Sequence, residues 1–222
     1  MKPGFQIPMD FNDEERASFY RLIAARRDIR KFRPDPIPED VLLRILWAAH
    51  HAGSVGYMQP WNFIVIRDQE VRQSVKAIYA DANQAAAACY EGEKRGLYDT
   101  LKLEGITESP LNICVTCDRS RGGTHVLGRH SIPETDLYST CTAVQNLWLA
   151  ARVEGVGVGW VSILDNDRLA QILHIPTGIV PVAYLCVGYP VEFHPIPELE
   201  LLGWRERLSM ADLVFEDRWP DP

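Results

Sequence analysis

The chain has 222 residues, of which 46% are hydrophobic and 24% charged, and a chain of this length can bury roughly 70–75% of its unfolded surface around one core. Its formal charge of −7 argues against a nucleic-acid-binding surface, because phosphate backbones require clustered positive charge. No apolar run approaches the ~18 residues that span a bilayer, and residues 1–10 lack the apolar core of a signal peptide, so we expect one cytosolic domain over residues 1–222 without a membrane or nucleic-acid partner.

The first predicted helix begins at Asn12, whose side chain can cap it reciprocally with Glu15. The helix ends in a basic cluster with the sequence RRDIR at residues 26–30. Guanidinium groups match phosphate oxygens bidentately and stay charged when partly buried, so the cluster predicts an anion clamp, and helical geometry would put Arg26 and Arg30 on one face. A solvated helix end, with cations near the helix C-terminal dipole, is the alternative interpretation.

A loop follows the second predicted helix, which covers residues 41–49 after three prolines that forbid an earlier start. The loop has the sequence SVGYMQPWN at residues 54–62 and leads into a predicted strand over residues 63–66. Gln59 is its informative residue, because a primary amide can complement a ligand edge on which donors and acceptors alternate. Trp61 by itself is more typical of core packing.

The middle of the chain carries a third predicted helix over residues 70–90 and a strand over residues 111–117. The charged and aromatic run at residues 94–106 between them is a loop or short helix and a candidate lid. Cys114 and Cys117 lie three positions apart on the strand, where side chains point to opposite faces, so the two thiols should diverge. Five scattered cysteines form no disulfide or metal framework, and we expect no metal site.

A nearly all-apolar helix is predicted over residues 137–154, ending at Gly155, as a buried central element or dimer core. Two strands, over residues 159–163 and 180–187, flank a short helix over residues 167–174. This order of elements predicts an α+β fold and not the regular alternation of a dinucleotide-binding domain.

Three glycines, Gly155, Gly157 and Gly159, follow a helix and open a strand. A phosphate-binding Gly-x-Gly-x-x-Gly motif has the reverse order, because it follows a strand and opens a helix. The glycines therefore favour a tight turn or a close approach of backbone to a flat ring.

Three of these motifs together resemble the flavin-binding signature of the nitroreductase superfamily: the Arg-Arg-x-x-Arg cluster, the Ser-x-x-x-x-Gln-Pro-Trp loop and the glycine-rich turn before a strand. Asp28 between the arginines and the runs at residues 98–106, 113–123 and 136–163 resemble the branch that makes the lower ligand of vitamin B12. The resemblance covers about residues 16–219. It implies a nitroreductase-like FMN-binding α+β fold, with a central, mostly antiparallel sheet packed between helices.

The site residues follow from this resemblance. Asp28 and Ser162 are implied as the acid–base residues, whereas the residues alone leave open an ion-pair role with a depressed pKa for Asp28 and a satisfied strand-end hydroxyl for Ser162. The implied contacts with FMN are Arg26, Arg27, Asp28, Ile29, Arg30, Ser54, Gly56, Met58, Gln59, Gly159, Ser162 and one C-terminal arginine, for which we favour Arg207 over Arg205.

The implied activity is the oxygen-dependent fragmentation of reduced FMN to 5,6-dimethylbenzimidazole and erythrose 4-phosphate, in which reduced FMN and molecular oxygen are substrates. NAD(P)H and a flavin reductase that supplies reduced FMN are candidate partners in reduction. Two other functions stay open: an NAD(P)H-dependent FMN nitroreductase or flavin reductase, and a non-catalytic flavin carrier or sensor.

The segment at residues 190–222 is rich in leucine and aromatic residues but has few core-forming patterns. Exposed, these apolar side chains would promote aggregation. We therefore expect this segment to be an arm that wraps around a second subunit, and the resemblance implies a homodimer with FMN at its interface.

Overall fold

The computed structural model describes residues 10–220, so residues 1–9, on which the signal-peptide expectation depends, and the last two residues of the predicted arm lie outside the described residues. The helices and strands of the described chain follow in order: α1 Asp13–Ala25, α2 Glu39–His50, β1 Trp61–Ile66, α3 Gln69–Ala87, α4 Gly92–Thr100, β2 Leu111–Asp118, α5 Thr135–Val153, β3 Gly157–Val161, α6 Asn166–Ile172, β4 Ile179–Gly188 and α7 Glu198–Leu201. Within residues 10–220, no helix is both long and apolar enough to cross a membrane.

The four strands form one antiparallel sheet in the order β1-β2-β4-β3. Alternate side chains face two separate cores: Ile113 and Leu185 lie in the core that α2 and α5 cover, whereas Cys114 and Tyr184 lie in the core that α3 and α6 cover. The predicted α+β fold with a sheet between helices is confirmed.

Local signals account for the ends of several helices. Asn12 and Glu15 form the expected capping box at the start of α1, and Gly155 ends α5 with a φ of +72°, a left-handed conformation that glycine adopts without a steric penalty. Phe19 and Ile23 on α1 are exposed. The described chain thus leaves an apolar helix face uncovered.

The basic cluster is not helical, which corrects the expectation that Arg26 and Arg30 share a helix face. The chain becomes extended at Arg26, and Asp28 forms a parallel bridge with Val158 of β3. Gly159 explains this, since a Cβ there would collide with the Ile29 carbonyl oxygen. The glycines of β3 thus let residues 27–29 lie against the edge of the sheet.

Candidate active site

Asp28 is held at both carboxylate oxygens. Oδ1 accepts a hydrogen bond from the Trp160 backbone N–H at 3.0 Å, and Oδ2 pairs with the Arg30 guanidinium. Arg30 also donates to Oε2 of Glu198 at 3.0 Å. The side chains of Arg30, Glu198 and Asp28 are 10%, 14% and 26% exposed. One largely buried guanidinium therefore bridges two carboxylates.

Burial raises the pKa of Asp28 above the usual aspartate range. Arg30, the Trp160 N–H and Arg26 oppose this shift, and Glu198 adds to it. The ion pair with Arg30 that the sequence left open for Asp28 is present, but burial outweighs its effect on the pKa of the carboxyl. A carboxyl of raised pKa keeps its proton at a higher pH than an exposed aspartate does, which is a property of general acids.

Next to Asp28 lies a group of cations with few counter-charges. Burial lowers the pKa of Arg26, and Arg207 lowers it further, while Asp28 partly offsets both effects. Burial also lowers the pKa of Arg27, with further contributions from Arg26, Arg207 and Arg152. Mutual repulsion of this kind is relieved by an anion, so these residues fit the phosphate of a nucleotide.

The guanidinium groups of Arg26 and Arg27 differ in what they already bind. Arg26 lies over the Trp148 indole, 4.7 Å from the ring centroid, and its side chain donates to no described residue. Arg27 donates to the His194 carbonyl at 3.0 Å and to the Pro195 carbonyl. Arg26 thus has free donors for a ligand, whereas Arg27 anchors the start of the C-terminal segment, and its predicted FMN contact stays a prediction.

The second predicted part of the site, the loop at residues 54–59, has a strained backbone. Gly56, Tyr57 and Gln59 have φ values of +58°, +53° and +48°, which non-glycine residues adopt only at a cost. The Ser54 hydroxyl accepts from the Gln59 N–H at 2.8 Å, and Met58 is buried. The Gln59 amide donates to and accepts from no described residue, so it is available to a ligand.

Arg121 also holds this loop, and sequence reasoning missed it. Its guanidinium donates to the Gln59 and Trp61 carbonyls at 3.0 and 2.9 Å and to Oδ1 of Asn62 at 2.6 Å. The only sequence signal was its place in the run at residues 113–123, which resembles the cobalamin branch. Arg121 fixes the loop through backbone atoms.

Gly159 lies on β3, and Ser162 directly follows that strand. Both are near Asp28, which is bridged to Val158 of β3. Ser162 is exposed and lines a cavity of about 210 Å³ with Trp160 and Tyr184. Gly159 faces Ile29, whose N–H donates to the Val158 carbonyl. The predicted FMN contacts of Gly159 and Ile29 stay predictions. Two larger cavities, about 700 Å³ beside residues 124–130 and about 1070 Å³ beside residues 174–181, contain none of the predicted site residues.

The candidate lid is the helix α4 followed by extended chain, and it contacts the C-terminal segment. Tyr98 stacks on Tyr90 with ring centroids 5.0 Å apart, and Nζ of Lys94 donates to the Trp204 carbonyl at 2.9 Å. At the other end of the lid, Gly105 lies so close to the Phe32 ring that a Cβ would collide with it. The lid is thus packed beside the segment that carries Arg30.

The structure does not bring the two groups of predicted site residues together. The loop at residues 54–59 precedes β1 at one edge of the sheet, and Asp28 lies beyond β3 at the other edge. Four strand-to-strand steps separate them, about 19 Å at ~4.8 Å a step. This span is wider than the three fused rings of a flavin, so one ring cannot contact both Asp28 and Gln59 of one chain.

Contacts with α5 agree with this separation. The Ser139 hydroxyl accepts from the Val55 N–H, and the Trp148 indole donates to the Arg27 carbonyl. These two α5 residues are nine positions apart, about 14 Å along the helix axis. The loop at residues 54–59 and the segment that carries Asp28 are therefore hydrogen-bonded to different parts of α5.

Comparison with known proteins gives a family match. The nitroreductase family model matches residues 23–189. A 5,6-dimethylbenzimidazole synthase of Rhodospirillum rubrum is 45% identical over 197 residues, 89% of this chain and 93% of that protein, and one of Rhodobacter capsulatus is 40% identical over 200 residues, 90% of this chain and 97% of that protein. A solved structure of iodotyrosine deiodinase bound to FMN and 3-iodo-L-tyrosine superposes with a TM-score of 0.71, over 90% of this chain and 99% of that chain, at 20% identity, which shows a shared fold.

Proposed function

The chain belongs to the nitroreductase family, and its similarity to the 5,6-dimethylbenzimidazole synthases within that family leads us to infer that it makes 5,6-dimethylbenzimidazole, the lower ligand of cobalamin. One structural observation supports this inference at the site. The Asp28 carboxyl, whose pKa is raised, contacts both Arg30 and the Trp160 N–H. It also lies next to a group of cations that suits a phosphate.

We propose that reduced FMN and molecular oxygen are the substrates and that erythrose 4-phosphate is the second product. When bound, reduced FMN would supply the ring and ribityl atoms from which the benzimidazole is made. Arg26 and Arg207 would hold its phosphate, since Arg26 has free guanidinium donors and Arg207 lies near enough to affect the pKa of Arg26. The primary amide of Gln59 would bind the pyrimidine edge.

Asp28 would act as the acid–base residue. Its carboxyl has a raised pKa, so it can hold a proton at a pH where an exposed aspartate has lost one, and it can release that proton to a neighbouring atom. The Ser162 hydroxyl, exposed beside Trp160, would donate or accept one further hydrogen bond. The lid would exclude bulk water from these groups.

We also propose that the site is completed by a second copy of the chain. A two-fold dimer brings the same surface of both subunits together, so the loop at residues 54–59 of one subunit can lie beside Asp28 of the other. The exposed apolar side chains support such an interface. They lie just before and within α1 and in the predicted arm: Phe11, Phe19, Tyr20 and Ile23, together with Leu208, Met210, Leu213, Val214, Phe215 and Trp219.

The function is tested by supplying chemically reduced FMN to the purified protein in air, which bypasses NAD(P)H and any flavin reductase as the predicted sources of reduced FMN. We expect consumption of flavin and release of 5,6-dimethylbenzimidazole, measured by absorbance and mass spectrometry. Boiled protein provides the control. Full recovery of oxidised FMN would contradict the synthase function and favour a reductase or a flavin carrier, because reduced flavin in aerated water returns to the oxidised form. A cytosolic location stays a prediction.

Arg26→Ala should weaken the binding of oxidised FMN by about 10- to 150-fold, because a hydrogen bond to a charged group contributes about 1.5–3 kcal/mol. Quenching of flavin fluorescence on titration measures the dissociation constant. Arg33→Ala is the matched control, since Arg33 is exposed and its described partners are Asp35, at 3.5 Å, and the Tyr189 ring, 5.4 Å from the ring centroid. An unchanged dissociation constant for Arg26→Ala would mean that the phosphate binds elsewhere.

A further inference from the structure

We propose that Glu198 is a positioning residue for Asp28, acting through Arg30: it holds the Arg30 guanidinium against the Asp28 carboxyl and thereby fixes the orientation and proton affinity of that carboxyl. This inference rests on the proposed function, in which Asp28 is the acid–base residue. Glu198 begins α7 and lies 168 positions after Arg30. No motif in the sequence points to it.

The Arg30 guanidinium binds a carboxylate with each of its two terminal nitrogens. One terminal nitrogen of the guanidinium binds Oε2 of Glu198 and the other binds Oδ2 of Asp28. Nε of Arg30 is buried and has no acceptor among the described residues. The guanidinium therefore has two anchors, and removing Glu198 would leave Asp28 as its only one. A buried guanidinium with one anchor can rotate, and Oδ2 of Asp28 would move with it.

The charges around Asp28 come from three parts of the fold. Its own segment supplies Arg26 and Arg30, which favour the ionised carboxylate, while α7 supplies Glu198, which disfavours it. From β4, the buried Cys186 thiol faces Asp28 and has a pKa raised to about 12 by burial. The thiol is thus neutral, so Glu198 is the anionic group that opposes ionisation of Asp28.

Tyr79 is a further titratable group whose pKa is affected by Arg30. Burial and Glu104 raise the pKa of Tyr79 to about 12, and Arg30 opposes that shift. Glu104 is itself paired with Lys76 at 3.2 Å. Among the described residues, Glu198 is the carboxylate other than Asp28 that binds the Arg30 guanidinium. It is therefore the residue whose removal changes Asp28 through Arg30.

The test uses two variants that separate charge from geometry. Glu198→Gln keeps an oxygen that can accept from Arg30 but removes the negative charge, so the titration midpoint of Asp28 should move to lower pH while kcat at the optimum stays within about threefold of wild type. Glu198→Ala removes both, and since a misplacement of ~1 Å can cost about 100-fold in rate, kcat should fall by about 10- to 100-fold with little change in the dissociation constant of FMN. Glu198→Asp should recover part of this loss.

The Asp28 midpoint is measured by ¹³C-carboxyl NMR titration of the flavin-free protein, with the resonance assigned from Asp28→Asn. This readout does not need the synthase reaction, so it stays informative if the product assay fails. Glu192→Gln is the control, since Glu192 is exposed and contacts only His194, at 3.7 Å. If Glu198→Gln and Glu198→Ala leave both the midpoint and kcat unchanged, the inference is overturned. A lower melting temperature with an unchanged Asp28 titration midpoint would also overturn the inference, because Glu198 would then only hold the C-terminal segment in place.

Discussion

Replacing Asp28 with Asn is expected to lower 5,6-dimethylbenzimidazole formation by about 100-fold or more, the usual contribution of a positioned acid–base group. FMN binding should stay within about threefold of wild type, because Arg26 and the loop at residues 54–59 are unchanged. An amide has nearly the same shape as a carboxyl but cannot take up or deliver the proton. Single-turnover assays with reduced FMN in air, followed by mass spectrometry, measure the loss.

Asp35→Asn is the matched control for this variant. Asp35 is exposed and its ion pair with Arg33 is long, at 3.5 Å, so product formation should be unchanged. Full product from Asp28→Asn would leave the synthase function standing but remove the acid–base role from Asp28. Loss of both product and FMN binding would show instead that Asp28 organises the arginines.

The raised pKa of Asp28 also predicts how stability depends on pH. Burial raises the pKa of the folded-state carboxyl above the value of about 3.9 for an unfolded aspartate, so between these two pKa values the folded protein binds more protons than the unfolded chain. The contribution of Asp28 to the free energy of unfolding is greatest below this window and falls as the pH rises through it. Flavin-free Asp28→Asn should therefore melt at or above the wild-type temperature at pH 7, with the difference shrinking in acid.

Two inactive variants should restore activity to each other if the site is shared between subunits. One variant is Asp28→Asn and the other is Ser54→Ala/Gln59→Ala, which damages the loop. A heterodimer of the two has one site with both changes and one site with neither, because a two-fold dimer pairs each loop with the other subunit's Asp28. We expect tandem-tagged, purified heterodimers to form product at about half the wild-type rate.

A heterodimer of Asp28→Asn with Arg26→Ala provides the control. Both changes lie in the same half of the site, so each site of that heterodimer is damaged and product should stay low. If the first heterodimer is as inactive as its parents, each subunit binds flavin with its own loop. Such a result would require the loop to cross the sheet width of about 19 Å in solution.

The fold was predictable where local patterns decide it. Short apolar runs predicted the strands, the Asn12 capping box predicted the start of α1, and Gly155 predicted the end of α5. The site was predictable only as a set of residue types. The basic cluster resembles a helix by spacing, yet the edge of β3, some 130 positions away, pairs with it in an extended form. No local pattern could reveal that pairing.

The residues that were missed share one property: they act on partners distant in sequence. Glu198 binds Arg30 across 168 positions, and Arg121 binds carbonyls about 60 positions away. The bonds of Arg121 go to backbone oxygens, which impose no requirement on the identity of the accepting residue, and the Glu198–Arg30 pair follows no fixed spacing along the chain. A single sequence therefore contains no periodicity or motif from which such contacts can be inferred.

The left-handed residues of the loop at residues 54–59 have a consequence for engineering. Tyr57 and Gln59 each hold a backbone conformation that costs roughly 1–2 kcal/mol, and contacts from Ser54 and Arg121 maintain it before any ligand binds. Glycine at either position would remove that penalty. Two thermostabilising changes thus lie in the loop that we propose to bind flavin, where rigidity would lower the entropy lost on binding, so selection for heat resistance alone would favour proteins that bind flavin less well.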